Sequence, residues 1–167
     1  MTRLDAVFLD RDGTLNVKAP EGDYVTTPAE LELLPGAAEA VRLLNERGVP
    51  AIVVTNQRGI ALGRMTEDDL TAIHARLAEE LAAAGAHVDA IYHCPHEHDA
   101  CDCRKPQTGM FRDAQRDLGG LDFAHTAVVG DSASDMEAAR RIGARGVLLP
   151  TDEPTLLQAV RRLLGGR

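Results

Sequence analysis

The chain has 167 residues, 44% hydrophobic and 3% aromatic, with a formal net charge of −8. That length suits one domain around one core. The acidic balance argues against nucleic-acid and anionic-membrane partners, and so few aromatic rings leave little for base stacking. No apolar stretch approaches the ~20 residues of a membrane helix, and no basic segment followed by a long apolar one opens the chain.

In chain order, short apolar runs alternate with helical patterns. Val7-Phe8-Leu9 predicts a buried strand leading into Asp10. Pro35-Gly36 opens a helix with Ala37, Ala40, Val41 and Leu44 on one face, and Gly48 suits its C-terminal cap. Ile52-Val53-Val54 predicts a second strand, ending at Thr55. Thr66, followed by Glu67, Asp68 and Asp69, predicts the N-cap of a helix. Leu70, Ile73, Leu77 and Leu81 form its buried stripe, and Gly85 ends it. A third strand is expected over roughly 88–93, then a polar loop and a helix over about 109–118. Ala127-Val128-Val129 leads a fourth strand into Gly130-Asp131, and a helix follows over about 133–142. Val147-Leu148-Leu149 predicts a fifth strand, and Pro154 suits the first turn of a last helix.

This order predicts one doubly wound α/β domain over 1–167, with a mainly parallel, Rossmann-like sheet. Neither 14–55 nor 55–105 has room for a cap domain. Loops 18–27, 58–64 and a cysteine loop at about 94–103 should therefore wall the site. Ligands in such sheets bind at the carboxyl ends of the strands. There the chain delivers Asp10-Arg11-Asp12-Gly13-Thr14, Thr55-Asn56-Gln57 and Gly130-Asp131.

Asp10 and Asp12, two apart in an extended segment, point the same way and need a cation or a shared proton. Magnesium takes hard oxygen ligands and keeps room for a substrate phosphate, and Asp131 is a natural further ligand. The parts suggest that Asp10 attacks phosphorus and Asp12 serves as acid and base. A free Asp has a pKa of about 3.9, so Asp12 is expected to be raised by Asp10 and by burial. Thr55 can donate to one phosphoryl oxygen, and Lys105 can place a charge on another. Asp135 reads either as a solvent-facing helix charge or as a partner for Lys105 or a magnesium water.

Cys94, His96, Cys101 and Cys103 offer three thiolates and an imidazole within ten residues, the donor set of a structural zinc. The odd, clustered cysteine count fits metal ligation in a reducing cytosol better than disulfides. His98 is the rival of His96, and the C-x-H spacing favours His96. His93 reads as a strand-end residue, and His74, His87 and His125 show no visible partners.

With D-R-D-G-T, T-N-Q, R-K-P and G-D-x-x-x-D in this order, the chain resembles the haloacid dehalogenase (HAD) superfamily of phosphohydrolases. It is most similar to the capless, zinc-containing branch of heptose-bisphosphate and histidinol-phosphate phosphatases. The resemblance implies Asp10 as nucleophile and Asp12 as acid/base. It implies catalytic magnesium on the Asp10 carboxylate, the Asp12 carbonyl and Asp131, with the phosphoryl group on Thr55 and Lys105. It implies structural zinc on Cys94, His96, Cys101 and Cys103. Tyr24, Asn56, Arg104 and Lys105 are implied to contact substrate. The implied reaction removes the 7-phosphate of D-glycero-D-manno-heptose 1,7-bisphosphate. Histidinol phosphate or another small metabolite is the alternative, and a nucleic-acid 3′-phosphate a more distant one. Ser132 stands where the heptose enzymes of that branch usually carry a lysine. A cytoplasmic monomer is expected, because no heptad or large apolar surface is evident.

Overall fold

The computed structural model describes residues 3–165. Five strands form one parallel sheet: β1 (Ala6–Leu9), β2 (Ala51–Asn56), β3 (Ala90–Cys94), β4 (Thr126–Gly130) and β5 (Arg145–Leu148). Five α-helices join them: α1 (Ala37–Glu46), α2 (Glu67–Ala83), α3 (Gly109–Asp117), α4 (Ala133–Ile142) and α5 (Leu156–Leu163). Strand alternation sorts the core into two layers. Val7, Leu9, Ala51, Val53 and Val129 pack with α1, α2 and α5, whereas Ala6, Phe8, Ile52, Val54 and Val128 pack with α3 and α4. Phe8 meets Phe111 edge-on at 4.9 Å. The sheet is therefore covered on both faces, as its near-continuous apolar strands require.

The strand order is β3-β2-β1-β4-β5. The chain winds outward from β1 through β2 to β3, then returns to the other side of β1. The direction of winding reverses between β1 and β4, where such sheets open a ligand crevice. Leu9 pairs with Val129, and the Asp10 amide donates to the Val129 carbonyl at 3.0 Å. Asp10 and Asp131 thus leave adjacent strands side by side. Between β1 and α1 the described chain forms loops and a short 3-10 turn at Pro28–Glu30, and no cap domain stands over the crevice.

Differences from the sequence expectation have local causes. β3 starts at Ala90 because Asp89 turns aside: its amide donates to the Ala51 carbonyl and its Oδ2 accepts from the Ala51 amide at 2.8 Å. Pro154 lies before the helix, since Thr155 is the N-cap and accepts from the Gln158 amide. Ser132 caps α4 in a capping box with Asp135, which leaves the Asp131 carboxylate free of capping. No described helix is long and apolar enough to cross a membrane.

The buried stripe of α2 is Leu70, Ile73, Leu77 and Leu81, as the periodicity predicts. Thr66 caps it by accepting from the Asp69 amide, and Asp69 reciprocates. Thr66→Ala should cost about 1 kcal/mol and lower Tm by ~2–4 °C. Thermal unfolding by circular dichroism checks this; an unchanged Tm would show that the cap carries no stability.

Candidate active site and metal centre

Beyond β1 the chain turns sharply: the Thr14, Leu15 and Asn16 amides all donate to the Arg11 carbonyl. Gly13 sits at φ +82°, and a Cβ there would collide with the Asp131 carboxylate. A Cβ on Gly130 would likewise collide with the Asp135 carboxylate. Two glycines therefore let the carboxylates nest against backbone.

Asp10, 9% exposed, accepts at Oδ1 from the Arg11 amide at 2.8 Å and from Lys105 Nζ at 3.1 Å. Lys105 is 3% exposed and spends its remaining donors on Asp135 Oδ1 at 2.6 Å and the Val54 carbonyl at 2.8 Å. Asp135 is fully buried, so of the two readings open from sequence the structure gives the partner of Lys105. Burial raises the Lys105 ammonium's cost, but Asp10 and Asp135 outweigh it and hold its pKa above the usual lysine value. Burial pushes Asp10 up to about 7, partly offset by Lys105 and reinforced by Asp135, Asp131 and Asp12.

Asp12 behaves contrary to expectation. Burial would raise it, yet the Arg11 guanidinium and hydrogen bonds from Asn16, Arg11 and Gln57 hold it below the usual carboxylate range. Its Oδ1 accepts from Arg11 Nη2 at 2.9 Å and Asn16 Nδ2 at 3.0 Å, and its Oδ2 from Gln57 Nε2 at 2.9 Å. Gln57 also donates to Thr55 Oγ1 at 2.9 Å, which leaves the Thr55 hydroxyl proton free to donate elsewhere. Sequence reasoning gave no role to Arg11, Asn16 or Gln57. Their only signal was membership of the same short motifs. His74, read as partnerless, lies 3.1 Å from Arg11 Nη1.

A cleft of about 240 Å³ gathers Asp10, Asp12, Tyr24, Asn56, Arg104, Lys105 and Asp131. Asn56 is bound twice to the Lys105 backbone, accepting from its amide at 3.0 Å and donating to its carbonyl at 3.3 Å. Arg104 is half-buried, and its Nη1 is buried with no partner among the described residues. The walls are laced together. Arg64 donates to the Gly22 carbonyl at 2.9 Å and stacks 5.9 Å from the Tyr24 ring centre. Arg58 pairs with Glu97 in the cysteine loop.

Two groups of side chains could hold metal ions. Carboxylate oxygens of Asp10, Asp131 and Asp135 lie within 4.8 Å of one another. With Asp135 committed to Lys105 and Ser132, Asp10 and Asp131 face the cleft, a pair of hard donors suited to magnesium. The Asp12 carboxylate borders the cleft but accepts from Arg11, Asn16 and Gln57, which leaves its backbone carbonyl as the group Asp12 could offer a metal. In the second group, Sγ of Cys94, Cys101 and Cys103 and Nδ1 of His96 lie within 4.8 Å. Cys94 is 3.5 Å from Cys101 and 3.0 Å from Cys103, and all three cysteines are free. Zinc bonded tetrahedrally at about 2.3 Å sets sulfurs about 3.8 Å apart, near the Cys94–Cys101 distance and wider than the Cys94–Cys103 one. His98 lies outside the group. Burial opposes ionisation of all three thiols, yet the Arg104 and Cys103 amides and the neighbouring thiols pull Cys101 down to about 7.

The family model for HAD-hydrolase-like proteins matches residues 102–161. The D-glycero-β-D-manno-heptose-1,7-bisphosphate 7-phosphatase of Rhodopseudomonas palustris is 40% identical over 152 residues, 86% of this chain and 82% of that protein. That of Pseudomonas aeruginosa is 42% identical, over 87% of this chain and 80% of that protein. The chain belongs to the HAD-like hydrolases. It shares the fold of the D,D-heptose 1,7-bisphosphate phosphatase of B. bronchiseptica, solved with magnesium and phosphate. The TM-score is 0.88 at 33% identity, covering 97% of this chain and 99% of that one. This HAD-like phosphatase gathers Asp10, Asp12, Asp131 and Lys105 at one cleft, with buried Thr55 linked to Asp12 through Gln57.

The cysteine group sits directly before Arg104 and Lys105, and the Arg104 amide donates to Cys101 Sγ at 3.3 Å. Zinc held by this group would be released by Cys101→Ser, and kcat would fall indirectly as the loop loosens. Metal analysis of the purified variant decides; full zinc content would remove Cys101 from the ligand set.

Proposed function

We propose that this phosphatase removes the 7-phosphate of D-glycero-β-D-manno-heptose 1,7-bisphosphate. Magnesium would be held by Asp10, Asp131 and the Asp12 carbonyl, and zinc by Cys94, His96, Cys101 and Cys103. The observation that carries the substrate is Arg104. It lines the same cleft as Asp10, and its Nη1 is buried with no partner among the described residues. A second phosphate supplies the acceptors it lacks, and a guanidinium binds phosphate bidentately. The named relatives support the heptose and its β anomer.

The chemistry divides among this chain's residues. An Asp10 carboxylate oxygen attacks phosphorus while the bond from phosphorus to the sugar oxygen breaks. Asp12 gives its proton to that leaving oxygen, releasing the sugar alcohol. Water then attacks the aspartyl-phosphate, Asp12 takes its proton, and the bond from phosphorus to Asp10 breaks, freeing phosphate. The bound phosphate's negative charge opposes Arg11 at Asp12 and favours the protonated acid the first step needs. Bound magnesium supplies charge neutralisation for the phosphoryl oxygens. Thr55 and Lys105 orient the phosphoryl group, and Tyr24, Asn56 and Arg104 hold the rest of the substrate.

The chain acts as a single-domain monomer in the cytoplasm, on a small metabolite and not on nucleic acid. Its exposed large hydrophobics among the described residues are Val17, Leu62 and Leu118, each more than a third exposed. Its net charge is −8.

Steady-state kcat/KM with magnesium tests the assignment across both anomers of heptose 1,7-bisphosphate, histidinol phosphate and simple sugar monophosphates, with Asp10→Asn as inactive control. The β-bisphosphate should lead by about tenfold or more, the scale of one charge-assisted contact, and Arg104→Ala should erase that lead. Equal or faster turnover of histidinol phosphate would replace the heptose assignment.

A further inference from the structure

Arg11 is a full positive charge at 0% exposure. A buried guanidinium persists only where its donors find acceptors and its charge finds a counter-charge. Arg11 finds them in three directions. Nη2 meets Asp12 Oδ1 at 2.9 Å, Nε meets Asn16 Oδ1 at 3.2 Å, and Nη1 meets His74 Nε2 at 3.1 Å. Asn16 closes a triangle by donating to the same Asp12 oxygen at 3.0 Å. The Arg11 amide meanwhile donates to Asp10. One residue therefore braces both aspartates of the motif.

His74 comes from α2, 63 positions along the chain. A guanidinium has no acceptor, so His74 Nε2 must be the unprotonated nitrogen of a neutral ring. Burial, then the charges of Arg11 and His93, hold its pKa at about 3, so the ring stays neutral across the working pH range. A neutral acceptor satisfies Nη1 without consuming the guanidinium's charge. A carboxylate at this position would compete with Asp12 for that charge. The imidazole fixes the arginine from behind and leaves its charge to the acid/base.

We propose that His74, acting through Arg11, is a positioning residue for the Asp12 carboxylate. It rests on the assignment of Asp12 as acid/base. The consequence is specific to the leaving group. A sugar alkoxide needs the Asp12 proton as it departs, whereas p-nitrophenolate departs with little help. A misaimed Asp12 therefore slows sugar phosphate hydrolysis and largely spares p-nitrophenyl phosphate. A general loosening of the site would slow both alike.

The test compares wild type, His74→Leu, His74→Gln and Asp12→Ala on a sugar phosphate and on p-nitrophenyl phosphate, with magnesium saturating. His74→Leu should lower kcat on the sugar phosphate about tenfold, a fraction of what a general acid contributes, with KM unchanged. Its loss on p-nitrophenyl phosphate should stay within about twofold on the same basis. His74→Gln, another neutral acceptor, should recover most of the activity. Asp12→Ala should show the same split more strongly. If His74→Leu does not fold, His74→Ala, which leaves room for water at Nη1, takes its place. An equal loss on both substrates, no loss on either, or no recovery with glutamine would overturn the proposal. If Asp12→Ala itself shows no split, the acid/base assignment fails and takes this inference with it.

Discussion

The constraint on which the site depends is carboxylate crowding. Asp10, Asp12, Asp131 and Asp135 converge on one end of the sheet, and Asp10, Asp131 and Asp135 offer oxygens within 4.8 Å of one another. Two like charges 4 Å apart repel by about 4 kcal/mol at an effective dielectric of 20. The fold answers with cations placed one by one. Lys105 lies between Asp10 and Asp135, and Arg11 lies against Asp12. Among the described residues Asp131 pairs only with Lys18, at 3.5 Å and mostly exposed, and such a pair contributes little. Asp10 and Asp131 are left facing the cleft with charge to spare, and that surplus is what a divalent cation would neutralise. The same surplus, with burial leading, pushes Asp10 up to about 7.

Topology creates this crowding and also makes it useful. The reversal of winding between β1 and β4 puts the ends of those strands next to each other with no helix between them. Gly13 and Gly130 then remove the side chains that would hold the carboxylates apart. Ser132 takes over the capping of α4 and leaves Asp131 to the cleft. The cysteine loop extends the arrangement from β3. Its four donors end one residue before Arg104, and Asn56 pins the Lys105 backbone to β2 from the other side. The two cations that meet substrate in the proposed reaction are thereby fixed from both flanks.

Much of this was legible in the sequence because it is local. Apolar runs ending in Asp10, Thr55 and Gly130 mark strand ends, and the 3.6-residue stripe of α2 and its Thr66 cap are patterns within one element. The cysteine group was legible because its four donors fall within ten residues. The partners of Arg11 were not. His74 lies on a helix whose rotation against the sheet is set by packing, and no short-range pattern ties the two. The charge state of Asp12 was misjudged for the same reason: Asp10 is its sequence neighbour, but the buried arginine between them governs it. Asp135 was ambiguous until the chain placed Lys105 against it.

With Asp10 and Asp131 both facing the cleft, the site carries one carboxylate too many until a cation arrives. Thermal unfolding of wild type and Asp131→Asn, each with and without magnesium, tests it most directly. Wild type should gain about 2.7 kcal/mol at a hundredfold excess of magnesium over its Kd. Asp131→Asn should melt higher than metal-free wild type, because a repelling charge is gone, and should no longer respond to magnesium. A variant that melts lower than metal-free wild type and keeps the full magnesium response would show that Asp131 neither crowds the site nor binds the cation.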